Sequence, residues 1–195
     1  MRFTPLPPGQ WDDRTRDSLA SALPPERRNP RDAGYALATL ARHPDLAQAY
    51  LPLGNYLQAG STLPARMREL VILRVAHRTG CVYEWTHHIR LGKRKGLSDD
   101  DIACAADGRA HLPREQAALT ASDELLASFR VSDQTWATLG EHLDDRQRMD
   151  LVFTVGGYLL LAMGLNTFGV NPEDRGWRDE VHDTGAAPTT HDHRP

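Results

Sequence analysis

The sequence predicts an all-α fold, and three observations carry that prediction. Between two stretches rich in proline and charge, nearly every segment repeats its apolar residues at helical spacing. Residues that start and stop helices punctuate those segments. No run alternates apolar and polar residues with period two between hairpin-type turns, and no internal repeat is visible.

Residues 1–30 hold six of the 13 prolines and read as an extended arm with one helix over about 11–23. Eight more helices are expected over 33–42, 44–59, 64–79, 82–95, 99–107, 114–128, 132–142 and 145–168. Pro44 and Pro64 suit a first helical turn, where the missing N–H has no partner to lose. Ser98 followed by Asp101 resembles a capping box. Ser132 and Asp144 can cap helices through their side-chain oxygens. Gly80, Gly96, Gly108 and Gly140 stand where helices should stop. The helical domain is expected over 31–172, and the Pro-, Gly- and charge-rich end, 173–195, reads as a flexible tail. His191 and His193 in that tail are not expected to form a metal site.

A chain of 195 residues with 40% hydrophobic content fits one domain with a buried core. With 23 basic and 26 acidic residues the net charge is −3, which argues against a nucleic-acid partner. The basic run from Arg90 to Lys95 is too short to reverse that and reads as a solvated helix face. Two cysteines, Cys81 and Cys104, do not make a disulfide framework. With no apolar signal core in MRFTPLPPGQWDDR, a cytoplasmic location is expected. Residues 151–172 carry no charge and are long enough to span a bilayer. Four glycines, Asn166 and Thr167 inside that stretch, with Asp150 and Glu173 flanking it, point instead to the centre of a bundle or an oligomer, so no membrane partner is expected.

The chemistry-bearing residues concentrate between Arg66 and Gly96. Glu69 has Ile72, Leu73 and Ala76 as its neighbours one turn and two turns on, so its carboxylate must find a partner or hold a proton. An ion pair with Arg66 or another basic residue would satisfy it. On the next helix Cys81, Glu84 and His88 are spaced by three and then four, which lines up a thiol, a carboxylate and an imidazole beside the apolar stripe of Val82, Trp85 and Ile89. A carboxylate next to a histidine orients the ring and makes a general acid/base pair. Cys81 follows Arg78 and Gly80 near a helix start, an environment that would lower a thiol's pKa, although a buried structural cysteine also fits. His87 points about 100° away from His88 along a regular helix and is expected at the surface or an interface. The doublet therefore cannot chelate one ion. Without HExxH or CxxC, neither a metal nor another cofactor is expected. Cys104, in IACAADG, reads as a packing residue.

Two stretches, RELVILRVAHRTGCVYEWTHHIRLGKRKGLSDDDI and LLLAMGLNTFGV, resemble the carboxymuconolactone decarboxylase / alkyl-hydroperoxidase-D-like (AhpD-like) superfamily over about residues 31–172. Its redox branch carries a glutamate, a Cys-x-x-Cys twelve residues on, and a histidine four residues after the second cysteine. Those positions hold Glu69, Cys81, Glu84 and His88 here, so the second cysteine is replaced by a carboxylate. The Glu84-Trp85-Thr86-His87-His88 form is similar to the decarboxylase-like branch, and a dithiol cycle has no second thiol to run on.

The resemblance implies an AhpD-like helical bundle assembled as a homo-oligomer, with a site near a subunit interface and an arm able to wrap a neighbour. It implies a cofactor-independent acid/base enzyme, a decarboxylase or lactone-processing protein acting on a small organic acid. His88 would transfer the proton, Glu84 would tune it, and Glu69 would relay a proton or hold the acid form. Arg74 or Arg78 would clamp a substrate carboxylate, with Trp85 beside them. Two alternatives stand next to this one. One is a one-cysteine peroxidase or thiol oxidoreductase with Cys81 as nucleophile and His88 and Glu69 as its proton relay. The other is a non-catalytic oligomer that binds a small apolar ligand.

Overall fold

A computed structural model describes residues 2–173. The described residues form nine α-helices and no strand: α1 (Asp13–Ser18), α2 (Gly34–Leu40), α3 (Pro44–Asn55), α4 (Ala65–Thr79), α5 (Val82–Arg94), α6 (Asp99–Ala106), α7 (Pro113–Ser128), α8 (Asp133–Gly140) and α9 (Asp145–Phe168). The capping chemistry acts as the residue types require. Ser98 and Asp101 close a reciprocal capping box on α6, and Asp144 closes another with Gln147 on α9. Ser132 accepts from the Thr135 amide at the start of α8. Pro44 opens α3, whereas Pro64 sits one position earlier than expected, as the residue flanking α4.

Two elements depart from the periodicity. The single helix expected over 44–59 is regular only to Asn55 and then widens into a π-turn, Tyr56–Gly60. Pro52 has no N–H to continue the ladder, and the irregular turn follows it. The helix expected over 11–23 contracts to α1, and the chain beyond it is held by short turns, including a 3-10 turn at Pro25–Arg27. Residues 2–30 lie against their own chain. Leu6, Trp11, Leu19 and Leu23 are buried with Ala38, Ala47 and Leu51, and the Trp11 indole N–H donates to the Leu6 carbonyl at 3.0 Å.

The centre of the bundle is α4. Every residue from Met67 to Ala76 is buried, and the helix packs against α5, α6, α7 and α9. Met67, Val71, Ile72 and Val75 meet Leu139, Leu151 and Val155, while Leu70 and Leu73 meet Leu97, Ile102 and Leu119. For the uncharged stretch of α9 the expected place was the centre of a bundle or of an oligomer. Within its own chain α9 is covered on one side only: Met149, Phe153, Leu160 and Met163 are each 55–60% exposed. By length and composition α9 could cross a membrane, and only 33% of its apolar window is buried inside the chain. The most buried helix is thus a more polar one, which carries the buried charges of Arg68, Glu69 and Arg74. Arg74 makes two bonds to Asp123, at 2.8 and 2.9 Å, and one to the Ala106 carbonyl.

Of the expected tail, residues 174–195, with His191 and His193, lie outside the described residues. Glu173 is packed: it accepts from the Tyr35 amide at 2.8 Å and the Tyr83 hydroxyl at 2.9 Å.

Candidate active site

Helices α4 and α5 form an abrupt corner that sets the site. Gly80 takes the left-handed conformation (φ 63°) that ends α4, and Cys81 flanks α5 in an extended conformation. The chain therefore doubles back and α5 lies along α4. Gly92 faces Glu69 across this contact, and a Cβ there would stand 2.7 Å from Leu97 Cδ1 and 3.7 Å from the Glu69 Cβ. Across that contact Nδ1 of His88 donates to Oε2 of Glu69 at 2.8 Å. Arg66, one expected partner of Glu69, is engaged elsewhere, by Asp101, Glu115 and the Gly96 carbonyl. The guanidinium nearest Glu69 is that of Arg68, with Nε 4.0 Å away. The His88 ring also receives Tyr158 of α9 edge-on, with centroids 5.1 Å apart.

Glu84 is the unusual group. It is 2% exposed, and neither carboxylate oxygen has a hydrogen-bond partner. Burial pushes its pKa up to about 8, opposed only by the Cys81 thiol. Both Glu84 and His88 line a cavity of about 370 Å³. Its walls are Leu37 of α2, Tyr50 and Leu51 of α3, Leu57 of the π-turn, Leu91 of α5, and Tyr158 and Leu161 of α9. Mostly apolar walls with a few convergent polar groups are what a small-molecule site requires.

The sequence-predicted residues separate into three groups. Glu84 and His88 reach the cavity. Glu69 and Cys81 stand behind them: Glu69 holds the histidine, and Cys81 is 1% exposed. Arg74, Arg78 and Trp85 are not on the cavity wall. Both arginines bind Asp123, with Arg78 at 2.6 Å, and Trp85 packs beside the Leu70–Leu73 cluster against the His77 ring. The expected substrate clamp is therefore a structural ion cluster joining α4 to α7. The expected lowering of the Cys81 pKa is also reversed: burial first, and the Glu84 charge second, push the thiol up to about 12. Arg78, whose charge could have favoured a thiolate, is turned to Asp123.

Residue-by-residue reading missed three contributors. Tyr50 and Tyr158 come from distant helices, and their only local signal is the glycine doublet at 156–157. A Cβ at Gly157 would stand 2.4 Å from Leu57 Cδ1, so a side chain there would displace Leu57 from its place in the cavity wall. The third is Glu173, whose Oε2 meets Nε2 of His87 at 2.8 Å. His87 is thereby half-buried and stacked on Tyr83 rather than solvated. Burial alone would raise Glu173, but hydrogen bonds from His87 and the Tyr35 amide hold its pKa well below the usual carboxylate value. Away from the cavity lining, Asp100, Cys104 and His111 bring three potential metal-ligand atoms within 4.8 Å of one another, with the His111 Nε2 already bonded to Asp100 at 2.8 Å.

Residues 44–124 match the carboxymuconolactone decarboxylase family. The uncharacterised protein YdfG of Bacillus subtilis is 30% identical over 100 residues, covering 49% of this chain and 68% of that protein. Among solved structures, an uncharacterised peroxidase-related protein of Ralstonia eutropha with an AhpD core superposes with a TM-score of 0.70 at 22% identity, over 89% of this chain and 92% of that one. A protein of unknown function from Agrobacterium tumefaciens, related to AhpD, gives 0.63 at 22% identity over 69% and 94%. The debrominase Bmp8, as a cysteine-to-alanine variant with 2,3,4-tribromopyrrole, gives 0.65 at 15% identity over 88% and 91%. At such identities these structures establish a shared AhpD-like fold.

Proposed function

Because the chain belongs to the carboxymuconolactone decarboxylase family, we propose that it is a cofactor-independent acid/base enzyme of the decarboxylating or lactone-processing kind. The observation that carries this is Glu84: a buried carboxyl, free of hydrogen bonds, that lines the cavity beside a histidine already oriented by Glu69. Such a group keeps its proton at neutral pH, and only the Cys81 thiol acts against that. Glu69 fixes the Nδ1–H tautomer of His88, which leaves Nε2 as the basic nitrogen of a ring on the cavity wall.

In the decarboxylating form, the bond from a ring carbon to its carboxylate breaks, and the electron pair moves toward the lactone carbonyl. Carbon dioxide leaves, and Glu84 delivers its proton to the carbon. Water then reprotonates Glu84. In the lactone-processing form, Nε2 of His88 removes a proton beside the carbonyl. Glu84 protonates the far end of the resulting enolate, and the proton on His88 returns to Glu84, so the isomerised product is the only net change.

Turnover of carboxymuconolactone and of simple unsaturated lactones, followed by ultraviolet absorbance, tests this in wild type and Glu84→Gln. The variant should keep its helical circular dichroism and lose about a hundredfold or more in rate, the usual weight of a general acid. Equal rates in the two proteins would sink the proposal. The peroxidase alternative has little support, since Cys81 is buried and its thiol is held protonated.

We also propose that a second copy of the chain covers the exposed apolar face of α9, where Met149, Phe153, Leu160 and Met163 stand together on a long helix. Light scattering after gel filtration should give a mass above 21.7 kDa, and Phe153→Asp should return it to that value.

A further inference from the structure

The charges around the cavity restrict what can enter it. No Lys or Arg is among the described residues that line it. Its ionisable residues are Asp32, Glu84, His87, His88 and the tyrosines Tyr50, Tyr83 and Tyr158. Both histidines already face carboxylates, His87 on Glu173 and His88 on Glu69, each at 2.8 Å. Asp32 accepts from the Asn29 amide at 2.7 Å and offers an anion nothing favourable. The buried Arg68 and Arg74 do not line the cavity: Arg68 lies 4.0 Å from Glu69, and Arg74 is bound to Asp123. A ligand carboxylate entering this cavity would lose its water and meet no Lys or Arg on the wall. An unpaired charge buried in that way is strongly disfavoured.

What the walls do offer is apolar area from leucines and the faces of Tyr50 and Tyr158, with one half-buried amide at Gln58. We infer that the cavity takes an uncharged ring compound bearing a carbonyl, a neutral lactone or cyclic enone, and discriminates against polycarboxylates. The inference rests on the acid/base reading and narrows it to the lactone-processing form, in which His88 and Glu84 move protons on a substrate that carries no leaving carboxylate.

Two probes of the same skeleton test it: phthalide, a neutral lactone fused to a benzene ring, and phthalide-5-carboxylate. Binding to the full-length wild-type protein at pH 7 is measured by calorimetry, with no turnover required. Phthalide should bind about tenfold tighter or more, the penalty of an unpaired carboxylate. Placing a cation in the wall with Leu91→Arg should narrow that ratio at least severalfold, and Leu161→Lys is the substitute where the first variant loses its helical circular dichroism. Equal or tighter binding of the carboxylate, or no binding of either probe, would overturn the inference. Its failure is separable from failure of the acid/base reading. That reading stands or falls on the rate of Glu84→Gln, whereas the probe ratio is a property of the walls and should favour phthalide in Glu84→Gln as well.

Discussion

His88 on α5 and Glu69 on α4 are joined through Nδ1 and Oε2 at 2.8 Å, with both side chains buried. The carboxylate selects the ring's tautomer and gives the imidazole a fixed orientation. Glu69→Gln keeps the shape and can still accept from Nδ1–H, but it no longer stabilises a charged ring during proton transfer. It should lower kcat about tenfold or more while leaving KM and the melting temperature nearly unchanged. His88→Ala is different in kind, since it strands the Glu69 carboxylate in the interior. It should abolish turnover and cost roughly 3–5 kcal/mol of stability, measured by urea unfolding.

Glu84 makes stability fall with rising pH. Its folded pKa is about 8 against an ordinary 4.5. A carboxyl with a raised folded pKa contributes fully below the unfolded value and loses that contribution as pH climbs through the folded one. The expected loss between pH 4.5 and pH 8 is on the order of a few kcal/mol. Calorimetry across that range should show wild type declining relative to Glu84→Gln. Turnover that needs the acid form should also fall above about pH 8. A melting profile parallel to that of the variant would contradict this account.

Cys81 should be chemically quiet. With 1% exposure and a thiol pushed up to about 12, it should react with a disulfide reagent far more slowly than a denatured control. Reduced protein given a small dithiol should not consume peroxide, and Cys81→Ser should retain any lactone turnover. Peroxide consumption that vanished in Cys81→Ser would restore the thiol mechanism.

Gly157→Ala should act on the cavity through Leu57. The new methyl would stand 2.4 Å from Leu57 Cδ1, the end of a side chain that can swing only toward the cavity or into the core. Overpacking of this kind costs about 1–3 kcal/mol. Phthalide binding should weaken with it, which calorimetry and a thermal melt read together.

Arg78→Ala should leave KM for any lactone unchanged. Its guanidinium serves Asp123, and its side chain is 39% exposed. A surface pair of this sort contributes about 0–1 kcal/mol. A several-fold rise in KM would return Arg78 to the role of substrate clamp.

The fold was legible because its signals are local. Ser98 with Asp101, Asp144 as a cap, and Gly80 at a helix end each act within one turn of the chain. The line-up of Cys81, Glu84 and His88 was legible for the same reason, since helix geometry fixes which residues share a stripe. The partners were not. Nothing near Arg74 in sequence announces Asp123, 49 residues on, and nothing near His87 announces Glu173, 86 residues on. The reversed direction of the Cys81 shift has the same origin. A helix start and a nearby arginine are visible in the sequence, but the burial that outweighs them is created by helices packed from elsewhere. For α9, composition measured apolarity but left open whether its own bundle or a second copy covers the helix, because an uncharged helix and a central helix are different things.

The complete burial of α4 from Met67 to Ala76 also sets a clock for the site. Amides on this helix can meet solvent only when the clusters on several of its sides come apart together, so their exchange with deuterium should require opening close to global unfolding. Glu69 rides on that helix. The histidine it holds is therefore anchored to the part of the chain expected to exchange most slowly, while the walls contributed by α2 and α3 belong largely to a separate cluster and should breathe on a faster timescale. Ligand entry and proton transfer would then draw on different layers of one molecule, the first on its looser shell and the second on its most persistent helix.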